Sequence, residues 1–118
     1  MKVDILGRKY TICIESHEEN AIFEEKGWCG YCSEGIPEIH ILNLDNCTNY
    51  KDDSEEAKRN YTNMTLRHEI VHAFLNESGL MCCANQFDGA WSKNEEMVDW
   101  VSIQFPKILK AFQKCGCI

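Results

Sequence analysis

The stretch "TLRHEIVHAFLNESGL", Thr65 to Leu80, decides how this chain is read. Leu66, Ile70, Ala73 and Phe74 recur at helical spacing, Val71 and Leu75 widen the stripe, and Gly79 supplies a stop. The helical pattern begins at about Ser54. On such a helix residues four apart share a face, so His68 and His72 can offer two imidazole nitrogens to one ion. Glu69 lies about a hundred degrees round from His68, beside such an ion rather than on it. This is the physical content of H-E-x-x-H, a zinc-hydrolase helix with its glutamate as general base. The plain alternative is three polar residues meeting on a solvated face. Ile70, Val71, Ala73 and Phe74 argue against it, because they predict a partly buried cleft.

Upstream the chain reads as strands. "KVDILG" and "KYTICIES" flank a turn signal at Gly7-Arg8 and predict a hairpin. Ser16 is placed to cap a short helix in "HEENAIFEEKG", closed by Gly27. "WCGYCS" and "PEIHILN" predict two further strands joined by Glu34-Gly35. Downstream of the first long helix, "LMCCANQFDGAWS" reads as a loop. Ser92 then has the N-cap position of a last helix, with Glu95 three residues on completing a capping box. Met97, Val101, Phe105, Ile108 and Phe112 form its expected inward stripe, with Ile103 on the other side, and Pro106 is expected to kink it. The expectation is α+β: a small antiparallel sheet of three or four strands followed by two longer helices, in one domain spanning residues 1–118.

A catalytic zinc takes three protein ligands and keeps one position open. His17 and His40 lie in weakly placed upstream segments, whereas "WSKNEEMVDW" supplies Glu95, Glu96 and Asp99. Glu95 and Asp99 are four apart on one helical face. A ligating carboxylate with a second one turn later suits the site, since the second can accept the N–H of a ligating histidine. Glu95 is therefore the expected third ligand, Asp99 its supporting residue, and Glu96 the alternative ligand. Helix starts attract acidic residues through the macrodipole in any case. The preceding H-E-x-x-H turns that ordinary acidity into a candidate site.

Composition limits the partners. The 118 residues are 44% hydrophobic and 26% charged with net charge −7, which suits a globular protein and disfavours nucleic acid. No apolar run reads as a membrane span or secretory signal, so the cytoplasm is the expected compartment. The eight cysteines are then expected to be reduced. Cys29-x-x-Cys32 lacks the strand-to-long-helix context of a redox pair. A thiolate cluster with Cys82-Cys83 or Cys115-x-Cys117 has weak spacing, and Cys13 and Cys47 read as small core or loop residues. Asn-x-Ser/Thr sites carry no meaning without a signal peptide. Trp28, Trp91 and Trp100 are expected in the core or a cleft wall.

His68-Glu69-x-x-His72 followed by Asn94-Glu95-x-x-x-Asp99 resembles the gluzincin pattern of thermolysin-like metallopeptidases. The short chain, a sheet leading into two helices, and "WVSIQFPKIL" with its internal proline are more similar to ImmA/IrrE-type metallopeptidases of phages and mobile elements. The motif match covers residues 65 to 109. It implies one zinc per chain at His68, His72 and Glu95, with Glu69 as base and proton shuttle in peptide hydrolysis. No helix-turn-helix or sensor segment accompanies the motif, so the resemblance carries no regulatory input. Tyr31, His40 and His17 are candidate oxyanion donors. The strand "IPEIHIL" is expected beside the active-site helix, where it could bind an extended peptide by strand addition. The partner is then a protein or peptide substrate, with no nucleic acid and no membrane. The alternative is a non-catalytic, zinc-stabilised interaction protein of a mobile element, for which a base at position 69 has no use.

Overall fold

A computed structural model describes residues 1–79, 81 and 91–115. Strands β1 (Lys2–Ile5) and β2 (Arg8–Glu15) form the expected hairpin. Its turn falls on Leu6-Gly7, one residue earlier than Gly7-Arg8, with φ of 51° and 90°. Positive φ at both turn positions matches the twist of the strands, and only glycine adopts it without cost. The Asp4 side chain accepts from the Gly7 N–H at 3.0 Å and steadies the turn.

Helix α1 is short, Ile22–Lys26, and Gly27 ends it at φ 67° as expected. Ser16 does not cap it. Ser16 N–H donates to Glu19 at 2.8 Å and Glu19 N–H donates back to the Ser16 hydroxyl at 3.4 Å. That exchange closes a local turn, and the helix begins only at Ile22.

Strands β3 (Gly30–Cys32) and β4 (Glu38–Leu42) pair antiparallel, but β4 also pairs with β2 in parallel. The order is β1-β2-β4-β3, so the sheet is mixed rather than wholly antiparallel. Burial explains which strand is central. Ile39 and Ile41 are hidden on one face and Leu42 on the other, and a strand apolar on both faces belongs in the interior.

Helix α2 (Glu55–Glu77) lies across the first face. Ser54 caps it by accepting from Ala57 N–H at 3.1 Å, and Gly79 follows its end at φ 78°. Leu66, Ile70 and Ala73 pack on Ile5, Tyr10, Ile12, Ile39 and Ile41, as the stripe predicts. Phe74 departs from it and is 40% exposed, because the sheet meets the helix on the Leu66–Ala73 line only. The opposite face of the sheet buries Phe23, Leu42, Leu44 and Cys47. Ile39→Ala is expected to cost about 2–5 kcal/mol of unfolding free energy, read by urea denaturation, because a fully buried branched side chain leaves a cavity.

Helix α3 runs Glu95–Cys115 and continues on both sides of Pro106. Its cap is Asn94, whose side chain accepts from Met97 N–H at 2.9 Å. Ser92 instead sits buried in a 3₁₀ turn, Trp91–Lys93. The inward residues are Val98 and Ser102, with Met97 and Val101 half-buried, while Phe105 is 46% exposed. Among the described residues the bonds from α3 to α2 fall between Glu95 and Ser102, so Phe105 lies beyond them. Ile103 is exposed as expected. The side chains of Ile108 and Phe112 lie outside the described residues, as do residues 82–90, where a loop is expected. Among the described residues no helix is long and apolar enough to cross a membrane.

Candidate metal centre

The periodicity of α2 sets Ala73 against the sheet and turns His68 and His72 towards the first turn of α3. Their Nε2 atoms stand 3.0 Å apart. Glu95, the first residue of α3, brings Oε2 to 3.0 Å from His68 Nε2 and Oε1 to 3.3 Å from His72 Nε2. One donor atom from each residue lies within 4.8 Å of the others, the only such group of three among the described residues.

The far sides of the rings determine what the near sides carry. Asp99 Oδ1 lies 2.7 Å from His68 Nδ1, the contact that a supporting residue would make. His72 Nδ1 lies 2.8 Å from the Ser92 backbone carbonyl, which can only accept. His72 Nδ1 must therefore donate, so the neutral ring presents a bare lone pair at Nε2. Burial holds the His72 imidazolium below its ordinary range, with the Glu95 charge opposing that shift. Two Nε2 lone pairs and a carboxylate thus converge with no donor between them, and a cation removes the repulsion. Two nitrogens bound to one zinc at ~2.0–2.1 Å with tetrahedral angles stand about 3.3 Å apart, near the separation here. The donor set fits zinc and also other first-row divalent ions. Glu96 is exposed and is not part of the convergent group.

Glu69 stands beside this group and is 6% exposed. Burial pushes its carboxyl up to about 7, His68 opposes the shift, the Glu95 charge adds to it, and the Cys32 backbone N–H lowers it by hydrogen bonding. Strand β3 approaches closely because residue 30 is glycine. A Cβ there would meet Thr65 Cγ2 at 2.6 Å and Glu69 Oε1 at 3.2 Å. Gly30→Ala is expected to destabilise the fold by about 1–3 kcal/mol through overpacking. Thr65→Ser, which removes the opposing methyl, is expected to restore most of the loss in urea unfolding.

The centre opens into a cleft of 1070 Å³ walled by Trp28, Tyr50, Tyr61 and Met64 on its apolar side. Strand β3 borders the cleft and, among the described residues, is one of the two edge strands of the sheet. Leu42 N–H donates to Cys29 O at 2.8 Å and Ser33 N–H to Glu38 O at 2.9 Å, with Tyr31 opposite His40 between them. Alternation therefore turns the backbone groups of Gly30 and Cys32 away from β4. The strand-addition role expected of "IPEIHIL" cannot belong to β4, whose two edges are both paired.

Of the three expected oxyanion donors, Tyr31 lines the cleft, whereas His40 and His17 do not. His40 alternates with Ile39 and Ile41 and so points away from α2. Its Nδ1 lies 2.7 Å from Glu15, and Tyr31 stacks on it at 4.4 Å. The Tyr31 hydroxyl accepts from Asn20 at 2.8 Å. His17 lies in the turn after β2 and does not line the cleft. Cys29, the residue before β3, and Cys32, its last residue, point to opposite sides. Cys29 contacts the Tyr50 hydroxyl at 3.3 Å, and burial, with Glu69 nearby, pushes the Cys32 thiol up to about 12. A redox pair needs the reverse shift. Cys47 is buried and Cys13 half-buried, as small core or loop residues. Cys82, Cys83, Cys117 and the Cys115 side chain lie outside the described residues. Trp28 lines the cleft, whereas Trp100 is 60% exposed rather than in a core. The Trp91 side chain lies outside the described residues.

Two contributors had no signal in the sequence. The Ser92 carbonyl is backbone and leaves no residue preference. Gly30 reads only as a generic strand glycine until Thr65 and Glu69 are set against it. No protein-family model, no curated protein sequence and no solved structure gives a match to this chain.

Proposed function

We propose that the chain is a zinc-dependent peptidase of the gluzincin kind, similar in layout to ImmA/IrrE-type metallopeptidases. The observation that carries this reading is the convergence of His68, His72 and Glu95 without an intervening donor, with buried Glu69 beside them. His68, His72 and Glu95 hold one zinc, and Asp99 and the Ser92 carbonyl fix the imidazoles in the ligating tautomer. A zinc ion there supplies Lewis acidity, which acidifies a water and polarises a carbonyl. Glu69 takes the proton of the attacking water on its carboxylate and gives it to the leaving amine. An extended peptide lies along β3, using the outward backbone groups of Gly30 and the Cys32 carbonyl. The substrate is a protein or peptide, the compartment the cytoplasm, and the setting a phage or mobile element.

The test begins with protein purified without added metal. Its zinc content is measured, and it is incubated with unfolded cytoplasmic proteins while mass spectrometry follows new peptide N-termini. About one zinc per chain and cleavages abolished by a chelator are expected. Protein without zinc ends the reading. Zinc without any cleavage replaces it with the non-catalytic, zinc-stabilised interaction protein.

A further inference from the structure

We infer that Pro106 and Arg67 form a clamp that sets the register of α3 on α2 and thereby places Glu95 against the two histidines. The inference rests on the metal reading above, because it concerns how the third ligand is held.

Proline has no N–H, so within a helix it leaves the carbonyl four residues back without its donor. For Pro106 that carbonyl belongs to Ser102, which is 1% exposed. A buried carbonyl without a partner costs about 1–3 kcal/mol. Here the vacancy is filled from the other helix: Arg67 Nε donates to Ser102 O at 3.2 Å. Pro106 is the only proline in α3, so it frees one interior carbonyl for Arg67 to find.

The location gives the bond its consequence. Arg67 adjoins His68, and Ser102 lies three residues after Asp99. Two bonds, Arg67 to Ser102 and His68 to Asp99, therefore join neighbouring residues of α2 to adjacent turns of α3. The Ser102 hydroxyl donates to the Asp99 carbonyl at 3.0 Å and ties the two points together. Glu95 itself is 67% exposed, and its ion contacts are with His68 and His72. Among the described residues no other contact holds it, so the docking of α3 places it. A slip of one helical turn, about 5.4 Å, would carry Glu95 out of reach. Arg67 is thus a positioning residue, and Pro106 gives it its address.

The test is a double-mutant cycle on Arg67→Met and Pro106→Ala, with zinc affinity read by competition with a chromogenic chelator. Methionine keeps the apolar stem and removes the donor, while alanine returns the N–H that satisfies Ser102. Arg67→Met is expected to weaken zinc binding by roughly 10-fold. In the Pro106→Ala background the same change is expected to cost about 2-fold or less, because the carbonyl no longer depends on Arg67. An equal loss in both backgrounds, or no loss in either, overturns the clamp. Should the wild type bind no zinc, the metal reading fails, and urea midpoints of the four chelator-treated proteins decide the clamp alone: non-additive shifts uphold it and additive shifts overturn it. Arg67→Lys, which keeps the charge without the Nε donor, replaces Arg67→Met if that variant does not fold.

Discussion

Glu69→Gln is expected to leave about one zinc per chain while lowering peptide turnover by roughly 10²- to 10⁴-fold. Glutamine has nearly the shape of glutamate, so the close approach to Gly30 persists, and the amide oxygen can still accept from the Cys32 N–H. What it loses is the capacity to take a proton. The buried carboxyl, pushed up to about 7, is neutral or charged at small cost near physiological pH, which suits a group that must accept and return one. Removing a buried ionisable group also removes its desolvation penalty, so urea unfolding of the variant is expected at a midpoint equal to or above that of the wild type. Zinc content by mass spectrometry and turnover of a cleaved peptide are measured on the same preparation. Turnover within about threefold of the wild type would take the base role away from Glu69. Loss of zinc would mean that the carboxylate is itself a ligand.

His72→Ala is expected to reduce zinc from about one per chain to nearly none, since a structural or catalytic zinc site does not survive loss of one of its three protein ligands. The effect should reach stability as well. A ligand that binds only the folded state stabilises it by about 2.7 kcal/mol at a hundredfold excess over its Kd. A chelator is therefore expected to lower the melting temperature of the wild type and to leave that of His72→Ala unmoved. The same assay separates the two neighbouring carboxylates. Glu95 touches both Nε2 atoms, whereas Glu96 is exposed outside the group, so Glu95→Gln is expected to lose zinc and Glu96→Gln to keep it. Zinc retained by His72→Ala would direct attention to the cysteines and would sink the assignment of this centre.

Much of the centre was legible because helical geometry is local. Residues four apart share a face wherever a helix forms, so sequence spacing alone pairs His68 with His72 and Glu95 with Asp99. Glu69 followed from the same geometry, and so did α2 itself, from Ser54 to Gly79. The choice of Glu95 over Glu96 is different. It depends on the start of α3 at Asn94 rather than Ser92, and on the docking of that helix through Val98 and Ser102. Strand character was equally local, read from alternation, but partner choice was not. Nothing within "IPEIHIL" records that β4 lies parallel to β2 and is closed on both edges, leaving β3 to border the cleft. His40 looked available because its neighbours in sequence do not reveal the face of the sheet it occupies. The amino-acid order by itself determined the presence of the two long helices, the strand segments and the spacing of the chemical groups, since those follow from hydrogen bonds and periodicities within a few residues. Tertiary structure alone decided which groups meet: the Ser92 carbonyl on His72, Gly30 against Glu69, and Arg67 on Ser102 join residues 20, 39 and 35 positions apart. Contacts over such distances depend on how whole elements pack.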